Sequence, residues 1–510
     1  MELFLHHHKS DVIGVLEGLD RVMFKGTLRS ICHDAGMDRF LGANGILYKD
    51  FSGFAQQLSN QLKQQAEAMA QQSGRPYLYL NSSQLRKDHL VRQMLEEDRI
   101  EEGLICVLAC VEPCRSFAVV GKGRLSVKLM ERKCLHYYYY FMDRELGLMH
   151  VRIQSWLPFT IQVCINGREY LRRRLDAARI GYVKQENCFT RIDDLAAGQR
   201  MLGELEQRKW VKLLNAFAKK VNPLLKRKGW LDLRGYYWSA QESEYATDIM
   251  FRNGSSLKAI YPKLVEHAMR QFSCQDVLRF LGRRVNSRFS GEACSDIQMR
   301  PEGMRIKHRV EENSIKMYDK QECVLRVETT INNSRRFKLR GRVTIRGRMK
   351  MGWRKMRKGV ADLWPRLKLC RAANHRYLDA LGSVSVQQEA GLLLDRVSYS
   401  KVQQGRAYRG LRPVSAEECR IFQILLDGSF LLAGFSNQQV RQRLHQSSLT
   451  DREEQKRRSG RLGRYLRLLR AHGLIHKLPH TNRYRLSQRG QQVMSAALRL
   501  RAADIQKLAA

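Results

Sequence analysis

No stretch of this chain is apolar for long enough to cross a bilayer. Its most apolar run, Gly103 to Val111, falls far short of the roughly twenty residues a spanning helix needs. No lipidation motif or amphipathic anchor accompanies it. The opening residues, Met1-Glu-Leu-Phe-Leu-His-His-His-Lys9, lack the shape of a signal peptide. A membrane partner is therefore not expected, and the reading is of a cytoplasmic protein. His6, His7 and His8 run straight into ordinary sequence and receive no role.

A disulfide framework is also missing. The 12 cysteines are scattered along 510 residues, a usage that fits reduced thiols in a long, unsecreted chain. Cys106, Cys110 and Cys114 recur every fourth residue, but no second Cys pair follows at zinc-site spacing, although Cys134-Leu-His136 comes later. On a strand all three would point to one face, which fits core thiols better than zinc.

Acidic residues are scarce. Asp and Glu total 50 against 91 Lys and Arg, a net charge of +41 with pI near 10.1. So strong a positive field implies a polyanionic partner: nucleic acid, with DNA favoured and RNA the alternative. The oligomeric state is left open, a dimer being compatible. With 43% hydrophobic residues the chain can build sizeable cores, and its length predicts several domains.

The expected class is α+β, a mixed α/β body with an antiparallel sheet plus a C-terminal domain. The expected division is 1–130 α/β, 131–230 strand-rich then helical, 231–381 central α+β, 382–414 linker and 415–510 C-terminal. Tyr137 to Phe141 and Leu148 to Ile153 predict a hairpin. Asn166-Gly167 is a turn signal, followed by a basic amphipathic helix from Glu169. No internal repeat is evident.

Asn313 to Asn332 carries the sharpest pattern. Ile315 and Met317 alternate with Lys316, Tyr318 and Lys320, and Leu325 and Val327 with Arg326, Glu328 and Thr330. Paired as strands, these segments bury an aliphatic face and gather a hydroxyl, cations and a carboxylate on the other. Those are the parts of phosphodiester chemistry, though a solvated sheet face has a similar composition. Asp20 and Glu112 are candidate metal carboxylates, and Glu242, Glu244 and Asp248 are either metal ligands or a helix N-terminal acid cluster. Asp20 and Glu112 also have a plainer reading as structural ion pairs.

Residues 335 to 358 hold twelve Lys or Arg and no acid. Arg335, Arg336, Lys338, Arg340, Arg342, Arg346, Arg348, Lys350, Arg354 and Lys355 form a basic segment that reads locally as a solvated loop, and phosphate would supply its counter-charge.

Ser415 to Leu426, Ser436 to His445 and Arg457 to Ala471 predict three helices, followed by two short strands around Pro479-His-Thr-Asn482. This order resembles the winged helix-turn-helix family. The resemblance implies that Arg457, Arg458, Arg461, Arg464 and Arg467 lie on or beside a groove-entering helix. It places His480, Asn482 and Arg483 on a wing. A winged helix used for protein contact is the alternative.

Ile315-Lys-Met-Tyr-Asp-Lys followed by Leu325-Arg-Val-Glu resembles a signature of rolling-circle replication initiators, the Rep-trans and filamentous-phage replication proteins. That resemblance implies Tyr318 as nucleophile, Glu328 as base or metal ligand, Lys320 and Arg326 as phosphate clamps, and Mg²⁺ or Mn²⁺ as cofactor. The family's paired-His motif is incomplete, since only His150 and His308 stand near its place. The chain as a whole resembles bacterial proteins carried in many gene copies, as mobile elements are. The functional expectation is a nucleic-acid-binding protein of a mobile element or replicon, nicking DNA through a metal-assisted tyrosine. The alternative is a non-enzymatic DNA- or RNA-binding regulator or ribonucleoprotein component.

Overall fold

The computed structural model describes every residue except 122, 227–234, 284–290, 301–302, 346–347, 383–389, 404, 428–429, 431–433, 446–451, 479–480 and 503–510. The described chain is α+β and multidomain. It divides into two compact units, Met1–Ser385 and Val386–Ala510. The boundaries expected near 130 and 230 do not separate compact bodies, because one sheet runs through all three segments.

That sheet has eleven strands. In chain order they are β1 (Val12–Thr27), β2 (Tyr77–Leu80), β3 (Gly103–Val120), β4 (Ser126–Asp143), β5 (Gly147–Gln154), β6 (Ile161–Asn166), β9 (Tyr237–Phe251), β10 (Ala293–Arg300), β11 (Gly303–Val310), β12 (Asn313–Lys320) and β13 (Val324–Thr330). A separate hairpin, β7 (Tyr182–Gln185) and β8 (Cys188–Ile192), stands between them in sequence. The spatial order is β10-β11-β12-β13-β9-β1-β6-β5-β4-β3-β2. Every pairing is antiparallel except β2 with β3.

This order contains a repeat of topology. In each half a long strand is followed by helices and then a four-stranded meander whose last strand returns beside the first. β6 pairs with β1, and β13 pairs with β9. The halves meet where β1 and β9 pair antiparallel along almost their whole length, so an approximate two-fold relates them.

The helices of the first half are α1 (Glu2–His7), α2 (Asp34–Ala43), α3 (Phe51–Gln72), α4 (Lys87–Asp98), α5 (Gly167–Ala178), α6 (Leu195–Glu206) and α7 (Trp210–Val221). Those of the second are α8 (Gly254–Gln271), α9 (Cys274–Phe280) and α10 (Leu363–Leu381). One sheet face packs on α3, α7, α8, α9 and α10 in a continuous core that includes Leu19, Tyr245, Met317, Val327 and Tyr139. The other face is covered in two places. The α5–α6 pair and the β7–β8 hairpin bury Leu16, Met250 and Val324, while α4 buries Cys106, Cys110, Tyr138 and Tyr140.

Alternation is what the sequence shows most plainly here, and the hairpins β4–β5 and β12–β13 form where it predicts them. Asn166-Gly167 behaves differently. Instead of turning a hairpin, Asn166 caps α5, its side chain accepting hydrogen bonds from the Arg168 and Glu169 amides at 2.7 and 3.2 Å. Gly167 is required by close approach, since a Cβ there would lie 1.8 Å from the Leu19 carbonyl oxygen.

Within the basic segment, where the sequence reads as a loop, Lys338–Ile345 (β14) and Arg348–Lys355 (β15) pair as a two-stranded ribbon.

The second unit contains α11 (Ala390–Ser398), the hairpin β16 (Lys401–Gln403) and β17 (Arg406–Tyr408), α12 (Ala416–Leu425), β18 (Phe435–Ser436), α13 (Asn437–Leu444), α14 (Arg452–Ala471), β19 (Ile475–Lys477), β20 (Arg483–Leu486) and α15 (Gln488–Ala502). Its three-stranded sheet has the order β18-β20-β19. Ser415 caps α12, and Ser436 with Gln439 makes a capping box on α13. The core includes Phe422, Phe435, Val440, Leu466, Leu469 and Val493. The expected linker therefore holds a helix and a hairpin.

Candidate functional site

The seam between β1 and β9 is where charge gathers. β1 carries one extra residue between Leu19, opposite Tyr245, and Arg21, opposite Glu244. Leu19 and Val22 both enter the main core, which turns Asp20 and Arg21 together to the opposite face. Asp20 therefore lies mid-strand. Side chains from β9, β12 and β13 meet it there.

Two layers result. In the lower layer Asp20, Asp248, Arg168 and Arg326 are buried. The Arg326 guanidinium donates to both oxygens of Asp248 at 2.5 and 2.8 Å and to the Asn187 carbonyl at 2.9 Å, and it lies 3.5 Å from Asp20. Arg168, placed by the first turn of α5, donates to Asp248 at 2.8 Å. Asn187 Nδ2 donates to Asp20 at 3.0 Å. Burial opposes charge on Asp248 and on Arg326, but each overcomes it with its partner: Asp248 is held below the usual carboxylate range and Arg326 well above its own. The role expected of Arg326, a phosphate clamp, is thereby corrected. Its donors are committed to Asp248, Asp20 and the Asn187 carbonyl beneath the surface, and it positions Asp20 and Asp248.

The upper layer reaches solvent. Tyr318 Oη donates to Glu328 Oε2 at 2.6 Å. Lys316 Nζ donates to Glu328 Oε1 at 2.6 Å and to Glu244 Oε1 at 3.2 Å. Arg21, more than half exposed, pairs with Glu244 at 3.3 Å. The Lys320 ammonium lies 5.7 Å from the centre of the Tyr318 ring. Burial and the Glu328 charge push the Tyr318 phenol well above its ordinary value. Burial also raises the Glu328 carboxyl, but Lys316 and the Tyr318 hydroxyl outweigh it and hold that acid low. Glu244 goes the other way, raised by burial and by Glu328 next to it.

Asp20, Glu244 and Glu328 each offer an oxygen within 4.8 Å of the others. Hard carboxylate oxygens from three strands are a donor set that suits Mg²⁺ or Mn²⁺. Lys316 now lies between two of them.

The other expected ligands lie elsewhere. Glu112 is on β3, four strands from β1, about 19 Å away at ~4.8 Å per strand. It accepts from Tyr138 at 2.8 Å and from Arg152 at 2.6 Å, with Lys87 at 3.0 Å, a self-contained cluster. His150 is two strands from β1, against the Tyr138 and Tyr140 rings. His308 points into the main core, bonding Ser295 Oγ at 2.7 Å and Tyr377 Oη at 3.1 Å. Burial pushes both imidazoles down to about 4. Neither joins the carboxylate cluster, and for His308 the reason is strand parity: it faces the wrong side of the sheet.

Cys106 and Cys110 are core thiols as expected. Cys114 Sγ and Cys134 Sγ lie 3.0 Å apart beside His136. Two sulfurs sharing tetrahedral zinc would stand about 3.8 Å apart at ~2.3 Å bonds, so this contact is a thiol pair. The hydrogen bond from Cys134 brings the Cys114 thiol down to about 7.

The ribbon presents the basic candidates. Lys338, Arg340, Arg342 and Lys355 share one face with Met349, Met351 and Trp353, and Trp353 is 70% exposed. Arg354 on the other face makes a two-pronged pair with Asp362, one bond at 2.6 Å. Arg336 pairs with Glu311. In the second unit Arg457, Arg458 and Arg461 pair with Glu453, Glu454 and Glu417. Arg464 and Arg467 are exposed on the same helix, Asn482 is exposed, and Arg483 on β20 bonds the Gly434 carbonyl at 3.0 Å. Arg346 and His480 lie outside the described residues.

Sequence reasoning missed Arg168 and Asn187 as members of the central cluster, and neither carried a signal. Lys316 was placed on the strand face of Tyr318 but given no role in the site. Compared with known proteins, the chain matches no family profile, no curated protein and no solved structure. Among the described residues no helix is long and apolar enough to cross a membrane.

Proposed function

We propose that the protein binds nucleic acid, DNA in the first place, and nicks it with Tyr318 at the seam of the large sheet. The observation that supports this most is the convergence of Asp20, Glu244 and Glu328 within 4.8 Å, with the Tyr318 hydroxyl already donating to Glu328 at 2.6 Å. A Tyr–Glu hydrogen bond of that kind couples a phenol to a general base. Its raised pKa keeps the phenol protonated at rest, so the proton leaves to Glu328 as attack proceeds.

In the proposed step Tyr318 Oη forms a bond to phosphorus and its proton passes to Glu328. The bond to the 3′ oxygen breaks, and that oxygen takes a proton as a 3′-hydroxyl. A 5′-phosphotyrosine remains. Lys316 and Arg21 offset charge at the mouth of the site, and Arg326 holds Asp20 and Asp248 in place. A divalent cation held by Asp20, Glu244 and Glu328 would stabilise charge on the phosphate; Lys316 would have to give way to it. The ribbon supplies groove or backbone contacts, its exposed Trp353 between arginines suiting both phosphate and base. The winged-helix reading of the second unit, with Arg464 and Arg467 exposed on α14, gives a reader of duplex sequence.

A second reading is favoured by Lys316 itself. An ammonium between Glu244 and Glu328 already neutralises the cluster, as in a binder that catalyses nothing. Labelled single-stranded and supercoiled DNA incubated with Mn²⁺ decides between them. The nicking reading expects a protease-sensitive, shifted DNA band that Tyr318→Phe abolishes while binding is retained. Binding without cleavage by the unaltered protein selects the second reading.

A further inference from the structure

Beyond the seam, β9 begins at a cavity of about 590 Å³ that opens to solvent and is lined by Tyr237, Arg335, Arg354, Lys355, Met356, Arg357, Lys358 and Gly359. Five of these eight residues are cations. Asp362 neutralises Arg354 and also lies against Arg357, whose amide donates to it at 2.8 Å, and among the described residues no carboxylate pairs with Arg335, Lys355 or Lys358. The cavity exists because residues 356–359 return against the start of β9: the Ala240 amide donates to the Lys358 carbonyl at 2.9 Å, and Ser239 bridges Gly359. The Tyr237 ring is 38% exposed, with the Arg29 guanidinium 3.6 Å from its centre.

Three cations without a carboxylate, with Arg357 beside them, exceed what a single phosphodiester offsets, since a diester carries one negative charge. A terminal phosphate or an oligophosphate carries two or more. An aromatic ring stacked with an arginine at the mouth is a platform for a base, and the cavity lies within the range of nucleotide-sized pockets. We propose that this cavity binds a phosphorylated nucleotide, its phosphates on Arg335, Lys355, Arg357 and Lys358 and its base against the Tyr237–Arg29 stack.

The source is either a free nucleotide or the phosphorylated end of a strand, and the second deepens the nucleic-acid reading, on which it rests. The pocket and the carboxylates share one sheet face. β9 has an extra residue at Gln241, between the Glu242–Met23 and Ala240–Phe24 pairs. Trp238 and Ala240 enter the main core, so Tyr237 is turned to the face that carries Glu244. Seven residues of strand separate them, about 24 Å at ~3.4 Å per residue. A strand end held at Tyr237 would set a fixed distance to Tyr318.

The test measures binding of one short oligonucleotide bearing a 5′-phosphate, a 3′-phosphate or neither, and of ATP alone, with competition by pyrophosphate. The variants are Tyr237→Ala and the pair Arg357→Glu with Lys358→Glu. Lys258→Glu with Lys263→Glu, exposed on α8, makes the same charge change elsewhere, and thermal melting checks that each variant folds. Expected is at least a tenfold preference for one phosphorylated end, lost in both pocket variants and kept in the α8 control. ATP binding that the pocket variants abolish, without end preference, makes a free nucleotide the ligand and supports the pocket. No end preference and no pocket-dependent ATP binding overturns it. If long DNA still binds in that case, the nucleic-acid reading survives; if ATP binds at the pocket but long DNA does not bind at all, only the nucleic-acid reading fails.

Discussion

Asp248 is the residue whose removal should cost the fold most. It is fully buried and accepts from two arginines that are buried with it. Breaking a buried pair leaves charge uncompensated, at about 3–5 kcal/mol. Asp248→Asn should lower denaturant stability by that order at pH 7. The folded pKa of Asp248 is depressed, so its contribution is present above about pH 4 and is lost as pH falls through the folded value. The gap between variant and parent should therefore narrow in acid.

Glu206 works the other way. Burial at the end of α6 raises its carboxyl to about 7, above the unfolded value, so the folded state favours the protonated acid. Stability from this group is present below about pH 4.5 and is lost as pH rises through 7. Glu206→Gln should raise the melting temperature at pH 8 and change it little at pH 5; equal shifts at both would refute the assignment. Residue identity alone gave no hint of either acid's state, because burial and partners decide it.

At the scale of the element, the ribbon of β14 and β15 is unusual in exposing Met349, Met351 and Trp353 together. An isolated two-stranded ribbon is marginal in water, and like charges face each other at Lys338 and Lys355. Bound phosphate would relieve both. Trp353→Ala should weaken single-strand binding by about 1–3 kcal/mol if a base stacks on it, with folding unchanged; intact affinity would remove the ribbon from the interface. The alternation of β12 and β13 was legible, and with it the face holding Tyr318, Lys316 and Glu328. The bulge that turns Asp20 onto that face was not, because one extra residue in a strand leaves no mark on composition. Strand β9 was hidden for a related reason: Glu242, Glu244 and Asp248 interrupt its apolar pattern, and their partners come from segments far away in sequence.

For the whole molecule, the two units permit a clean division of labour. Truncation at residue 385 removes the second unit while leaving the large sheet and its core whole. The truncated protein should keep most of its total DNA affinity and lose most of its sequence preference, measured by competition between a selected site and random duplex. Unchanged preference would exclude the second unit as the reader. The α+β class and the helix–hairpin pattern of that unit followed from local periodicity. The duplicated topology did not, because equivalent strands in the two halves share pairing partners and not residues.

The pairing of β1 with β9 also bears on how the chain is made. A ribosome releases β1 early, yet its partner along one whole edge is not complete until Phe251 has emerged. His7 Nδ1 meets the Gly382 carbonyl oxygen at 2.7 Å, so that contact waits for the end of the first unit. During synthesis the first half thus carries a sixteen-residue strand with an open edge, a ready template for pairing with another chain. Nascent copies made close together on one messenger are the molecules best placed to find it, and slow translation across residues 28–236 would lengthen the exposure.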